Sequence, residues 1–143
     1  MTRTFVEFTP EYHTGNQKID KEHQQLFTII NRLHSAMKEG KSKIILGEIL
    51  DELLEYTVKH FTDEELYMLS YNYPRYHEHK KIHQELTEKV KKFRQEFMAG
   101  NSFISVELLL FLNNWLASHI KVEDFAYMKH IREVEKNKQV EAG

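Results

Sequence analysis

The stretch HKKIHQELTEKVKKFRQEF, residues 79–97, is the part of the sequence that decides the fold. Its apolar residues and its two histidines recur every three or four positions, which predicts an amphipathic helix with one buried stripe. The residues of that stripe are His79, His83, Leu86, Val90, Phe93 and Phe97. We expect this helix to open at Pro74, because proline is tolerated in a first helical turn. The buried face of the predicted helix therefore begins with two histidines.

Three further segments have the same period, over about residues 20–40, 42–70 and 105–130. Asp20 is the predicted N-cap of the first of them, and Gly40 is the predicted residue just past its end. The predicted stripes are Ile19, His23, Leu26, Ile30, Leu33 and Met37; Leu46, Ile49, Leu53, Tyr56, His60 and Glu64; and Leu108, Leu112, Trp115, His119 and Val122. Each of the four segments thus carries at least one polar residue among its apolar ones.

Four segments of about 20 residues or more, joined by short connections, predict neighbours that pack antiparallel. We therefore predict an all-α fold, an up-down-up-down antiparallel four-helix bundle spanning about residues 20–132. A chain of 143 residues is long enough for one domain, so residues 1–143 are expected to form a single domain.

The two ends of the chain lack this periodicity. We predict an extended N-terminal arm over residues 1–18, in which Phe5 and Phe8 help to cover the core. The polar tail, residues 133–143, is expected to fray.

Composition excludes several classes of function. The formal net charge is −2, with basic and acidic residues mixed along the chain, so neither nucleic acid nor an anionic membrane is an expected partner. The chain has no cysteine, which excludes disulfides, thiolate metal sites and a cysteine nucleophile. No segment reaches the ~18 apolar residues typical of a membrane span, so we expect no membrane insertion and a cytoplasmic protein.

The inward polar residues converge on one end of the predicted bundle. The starts of the first and third helices lie there, with the ends of the second and fourth. The residues placed at that level are His23, His60, Glu64, His79, His83 and His119. Residues four apart on a helix share a face and are close enough to ligate one metal ion or two adjacent ones.

A single buried histidine is more often a hydrogen-bonded core residue than a metal ligand. Five of them on converging stripes would leave many buried polar groups unpaired, which favours a metal site. The ligands exceed what one ion needs, so two ions are predicted. Iron is the leading candidate, with zinc, manganese and cobalt chemically open. Surface or supporting roles are predicted for the remaining histidines, His13, His34, His77 and His130.

Several short strings combine into a family pattern. They are IDKEHQQL at 19–26, HFTDEE at 60–65, Tyr-Pro at 73–74, the histidine pair at 79–83 and WLASHI at 115–120. Together they resemble the hemerythrin family, most closely its bacterial members, and the resemblance covers essentially the whole chain. It implies two iron ions with a bridging oxo or hydroxo group.

The resemblance also implies a role for each ligand. One iron would be held by His79, His83 and His119, the other by His23 and His60, and both by the bridging carboxylates of Glu64 and Asp124. The second iron would keep an open position for dioxygen, beside an oxygen pocket made by Trp115, Leu116 and Ile120.

The regular spacing of an α-helix conflicts with the assignment of Asp124 as a ligand. Glu123 follows His119 by four positions and would share its face, whereas Asp124 follows by five and would point elsewhere. Either a carboxylate that reaches sideways between two ions or a local π-bulge would accommodate Asp124. We follow the resemblance and choose Asp124.

The function that this resemblance implies is reversible dioxygen binding by a protein that is not an enzyme. It would carry, store or deliver oxygen, with an unknown oxygen-consuming protein as a partner. One alternative is an oxygen- or redox-sensing module of a signalling system. Another is a di-iron enzyme with peroxidase or nitric oxide-handling activity. Ferritin-like di-iron enzymes are disfavoured, because no histidine here has a glutamate three residues before it.

Overall fold

The computed structural model describes residues 8–100 and 106–142. A 3₁₀ turn, Pro10–Tyr12, precedes three long helices: α1 (Gln17–Lys38), α2 (Lys43–Ser70) and α3 (Tyr76–Met98). The fourth helix of the bundle consists of α4 (Val106–Ser118), a π-helical turn (His119–Asp124) and α5 (Phe125–Ala142). The predicted four-helix bundle is confirmed.

The start of α1 differs from the prediction. Asn16 is the N-cap, and its side chain accepts a hydrogen bond from the backbone N–H of Ile19 at 3.0 Å. The prediction that Asp20 caps this helix was wrong. Its carboxylate instead accepts hydrogen bonds from the backbone N–H and the hydroxyl of Thr14, both at 2.8 Å. Asp20 therefore ties the incoming chain to α1. Gly40 lies just past the end of α1 with φ of 69°, as predicted for a helix end of this kind.

The second and third helices begin near the predicted positions. Ser42 caps α2, because its hydroxyl accepts from the backbone N–H of Ile45. The third helix begins at Tyr76, two residues after Pro74. At 28 residues, α2 is about 42 Å long and spans the bundle, so one helix supplies both apolar core residues and the buried polar residues His60 and Glu64.

The fourth helix changes register at its π-helical turn. The backbone N–H of Phe125 donates to the carbonyl of Ile120, five residues back, which adds one residue to that turn. Val122 was predicted to face the core but is 61% exposed, because the extra residue rotates it outward. The buried positions before the turn are Leu109, Leu112 and Leu116, and those after it are Tyr127, Met128 and Ile131.

The core follows from the packing of these helices. The first helix packs against α2 and α4, and α2 packs against α3. The residues at the centre are apolar, and they include Leu26, Ile30, Leu33, Leu50, Leu53, Leu109 and Leu112. No helix within the described residues combines the length and hydrophobicity needed to cross a membrane.

The ends of the chain also differ in part from the expectation. Phe8 packs against Phe27 with ring centroids 5.6 Å apart, so this part of the arm covers the core as predicted. Phe5 lies outside the described residues. The tail expected to fray from Glu133 is instead helical through Ala142.

Candidate metal centre

The structure brings all seven predicted ligand residues together at one end of the bundle. Their exposed fractions range from 0 to 4%, so the whole cluster is shielded from solvent. Each helix contributes in the predicted order: α1 gives one residue, α2 two, α3 two and the π-helical turn two. These residues are His23, His60, Glu64, His79, His83, His119 and Asp124.

Two overlapping groups form within the cluster. Glu64, His79, His83, His119 and Asp124 make one group, and His23, His60, Glu64 and Asp124 make the other. In each group the candidate ligand atoms all lie within 4.8 Å of one another. The two carboxylates belong to both groups, which is the arrangement that two neighbouring metal ions require.

Asp124 lies between the two groups of histidines. Its Oδ1 is 3.2 Å from Nε2 of His79 and 3.1 Å from Nε2 of His119. Its Oδ2 is 2.9 Å from Nε2 of His23, on the other side. The carboxylate therefore presents one oxygen to each group, as a bridging ligand must.

Glu64 makes a second connection between the groups. Its Oε1 is 2.9 Å from Nε2 of His60 and 3.7 Å from Nε2 of His83. Its Oε2 accepts a hydrogen bond of 2.6 Å from the hydroxyl of Tyr127, a fully buried residue. Tyr127 thus fixes the orientation of this carboxylate from the side of α5.

The π-helical turn explains why Asp124 and not Glu123 reaches the centre. In a regular helix Glu123 would lie over His119, but the added residue moves Asp124 into that position. Asp124 is fully buried, whereas Glu123 is only half-buried.

Acidic side chains orient two of the imidazoles. Nδ1 of His60 donates to Glu22 at 2.7 Å, and Nδ1 of His83 donates to Glu65 at 3.3 Å. In the neutral imidazole, a proton held on Nδ1 leaves Nε2 unprotonated and directed at the centre, which is the form that binds a metal ion. Phe61 holds the His83 ring by stacking on it, with centroids 3.7 Å apart.

Sequence reasoning missed these supporting residues, although signals for some were present. Glu22 adjoins His23, within the width of a buried helical stripe, and Tyr127 follows Asp124 at the i+3 spacing of one face. The remaining histidines lie outside both groups. His13 and His77 are exposed, and His130 hydrogen-bonds to the backbone carbonyl of Tyr71 at 3.0 Å.

In the metal-free site, the buried histidines and carboxylates shift one another's pKa values. Burial alone would lower the pKa of His60, but the charge of Glu64 and hydrogen bonds to Glu22 and Glu64 raise it to about 10. Burial also opposes the charged form of His23, yet its contacts with Asp124 and Glu64 raise its pKa as well. The pKa of the Asp124 carboxyl is held well below its usual range, against the effect of burial, by His119, His23 and His79.

The donor atoms fit a metal ion. Within the described part of the chain, both ring nitrogens of His23 and His79, both carboxylate oxygens of Asp124 and Oε1 of Glu64 are buried without a hydrogen bond. A buried polar atom that has neither a proton partner nor a metal ion costs on the order of 1–3 kcal/mol. Nitrogen and oxygen ligands in this number suit first-row divalent ions, and a cation would satisfy them together.

Comparison with known proteins supports the same conclusion. The model of the hemerythrin HHE cation binding domain matches residues 14–131. The chain belongs to the hemerythrin family. It is 36% identical over 122 residues to the bacteriohemerythrin of Pseudomonas aeruginosa, which covers 85% of this chain and 78% of that protein. Family membership and the buried cluster together indicate a metal site.

More distant hemerythrins match over similar lengths. The bacteriohemerythrin of Clostridium acetobutylicum is 33% identical, covering 82% of this chain and 95% of that one. The myohemerythrin of Theromyzon tessulatum is 32% identical, over 78% of this chain and 81% of its own. A crystal structure of wild-type hemerythrin superimposes with a TM-score of 0.82 at 28% identity, covering 87% of this chain and 96% of that chain.

Two adjacent carboxylates provide a direct test of the ligand assignment. We expect Asp124→Asn to lose most bound metal, because one oxygen of this bridging carboxylate is replaced by an amide nitrogen, which is a poor ligand. Glu123→Gln should keep full metal occupancy after equilibration, since this side chain lies outside both groups. Elemental analysis of the two purified variants measures the difference. Loss of metal from Glu123→Gln with retention in Asp124→Asn would reverse the assignment.

Metal binding should also release protons. Because the pKa of His60 is raised to about 10 in the metal-free protein, this side chain is protonated at neutral pH and must lose a proton to bind. The apparent affinity for Co²⁺ should therefore rise as the pH increases towards that pKa and fall in acid. Titration calorimetry in buffers of different ionisation enthalpy measures the release. A binding heat that is independent of the buffer would contradict this account.

Proposed function

We propose that this hemerythrin-family protein binds dioxygen reversibly at a non-haem di-iron centre with a bridging oxo or hydroxo group. It acts as an oxygen carrier, store or delivery protein and is not an enzyme. The proposed iron ligands are the seven residues of the cluster. A protein that consumes oxygen is the proposed recipient.

The unequal size of the two ligand groups is the observation that carries this proposal. The group with His79, His83 and His119 has five protein ligands, and the group with His23 and His60 has four. Both counts include the shared carboxylates. With one solvent-derived bridge, the first ion would reach six ligands and the second only five, so the second would keep a position for dioxygen.

The protein's own contribution is to hold the ligands and to exclude water. When bound, a pair of iron ions supplies two electrons to dioxygen and recovers them on its release. Glu22 and Tyr127 fix His60 and Glu64, so these ligands do not have to reorient between the two states. Burial keeps bulk water away from the site, which protects the ions from irreversible oxidation.

The three proposed oxygen-pocket residues lie in two environments. Leu116 and Ile120 are 1% and 0% exposed and belong to the apolar core, where they would provide a water-poor wall. Trp115 is half-buried and packs against Phe61 and His119, with ring centroids 5.8 Å apart in both cases. It therefore lies against a histidine of the five-ligand group.

Oxygen titration tests the function directly. The iron-loaded protein is reduced without oxygen and then exposed to dioxygen, which is afterwards removed, while the iron charge-transfer bands are recorded. We expect bands that appear with oxygen and disappear on its removal. His77→Ala, which changes an exposed histidine, should behave as the native chain does, and His79→Ala should not bind oxygen. Circular dichroism checks that the helices are retained.

Rapid oxidation that does not reverse when oxygen is removed would overturn the carrier proposal. It would favour an enzyme with peroxidase or nitric oxide-handling activity. Reversible binding at a stoichiometry other than one dioxygen per pair of irons would contradict the ligand count above.

A further inference from the structure

A cleft between α3 and α4 opens to solvent and ends against His119, one of the candidate ligands. Its volume is about 570 Å³, and His119 forms part of its lining although the side chain of this residue is only 3% exposed. On the α3 side it is lined by Ile82, Glu85 and Leu86, and on the other side by Trp115 and Glu123 among others. A buried candidate ligand therefore lies at the inner end of an open cleft.

Two carboxylates of this cleft have no cation within ion-pair distance among the described residues. Glu85 is exposed and Glu123 is half-buried, and the cation that acts on Glu123, Arg75, does so only at longer range. Lys89 also lines the cleft, but its ammonium group lies over the ring of Phe111, 5.2 Å from the centroid. Asn114 and Ser118 add neutral polar groups. The side chains of Glu85, Glu123, Asn114 and Ser118 thus present oxygen atoms that can interact with a cation.

We propose that this cleft is the entry route for Fe²⁺, with Glu85 and Glu123 attracting the hydrated ion and passing it to His119. The inference rests on the proposed metal centre, whose ligands are all at least 96% buried and which an ion must therefore reach through the protein. The two carboxylates outnumber the single ammonium group of Lys89, so the cleft carries a net negative charge. Clefts that combine apolar walls with a net charge of one sign focus the electric field and raise association rates about 10- to 1,000-fold. Carboxylate oxygens suit a hydrated divalent cation.

The register change at the π-helical turn places Glu123 in this role. The added residue directs Asp124 into the centre and leaves Glu123 on the cleft side, four residues after His119. The two adjacent acidic residues therefore have different roles. Asp124 holds the ion, and Glu123 guides it in.

A second groove, between α2 and α3, fits this role less well. It has a volume of about 240 Å³ and reaches His83. Its carboxylates are engaged: Glu65 accepts from His83, and Glu88 is 3.5 Å from the ammonium group of Lys91. Charge that is already neutralised attracts an incoming cation weakly.

The test is the rate at which the metal-free chain takes up Co²⁺, followed by stopped-flow absorbance at low ionic strength. Glu85→Gln combined with Glu123→Gln should slow uptake about 10-fold, and the difference should shrink as salt is added. The final amount bound should be unchanged, because neither residue is a ligand. Lys89→Gln should accelerate uptake. Glu88→Gln, on the same helix but outside the cleft, is the matched control and should load at the native rate.

Uptake by the double variant at the native rate would overturn the entry route, as would a slower rate in Glu88→Gln than in the double variant. Both results would leave the proposed oxygen function standing, because equilibrium occupancy would be the same. If the unsubstituted chain takes up no metal, the metal centre itself is wrong.

Discussion

The π-helical turn His119–Asp124 is the constraint on which the metal centre depends. It brings a histidine and an aspartate of one helix to the same place, so that the aspartate can lie between histidines of α1 and α3. Without the added residue, the register of a regular helix would direct Glu123 towards His119 and turn Asp124 away. The same change exposes Val122 and sets which residues of α5 are buried. The π-helical turn therefore determines both the packing of the last helix and the position of Asp124 in the site.

The cluster also sets an energetic condition on the protein. Five imidazoles and two carboxylates in a bundle core are costly to desolvate, and many of their atoms have no hydrogen bond. In the metal-free chain, protons on His23 and His60 offset part of this cost, as their raised pKa values indicate. Metal ions would replace those protons and satisfy the remaining atoms. Glu22, Glu65 and Tyr127 then act as supports that keep the ligands in one orientation.

Much of this arrangement follows from helical periodicity. The apolar stripes of α1, α2 and α3, together with the order of the helices, are sufficient to bring five of the seven cluster residues to one end of the bundle. The stripe of the last helix adds His119, the fifth histidine of the cluster. Asp124 required the family pattern, because a π-helical turn has no simple signature in local spacing. The N-cap was misplaced by four residues because Asn16 and Asp20 are both good caps, and the hydrogen bonds between Thr14 and Asp20, six residues apart, leave Asn16 to cap the helix. The cleft depends on how far apart α3 and α4 lie, which periodicity does not specify.

The central claim is that two metal ions share Glu64 and Asp124. The most direct measurement is anomalous X-ray scattering at the iron absorption edge from crystals of the iron-loaded protein. We predict two iron peaks per chain, both bonded to these carboxylates, one surrounded by His79, His83 and His119 and the other by His23 and His60. A single iron peak, or two peaks of which one is not bonded to Asp124, would contradict the account.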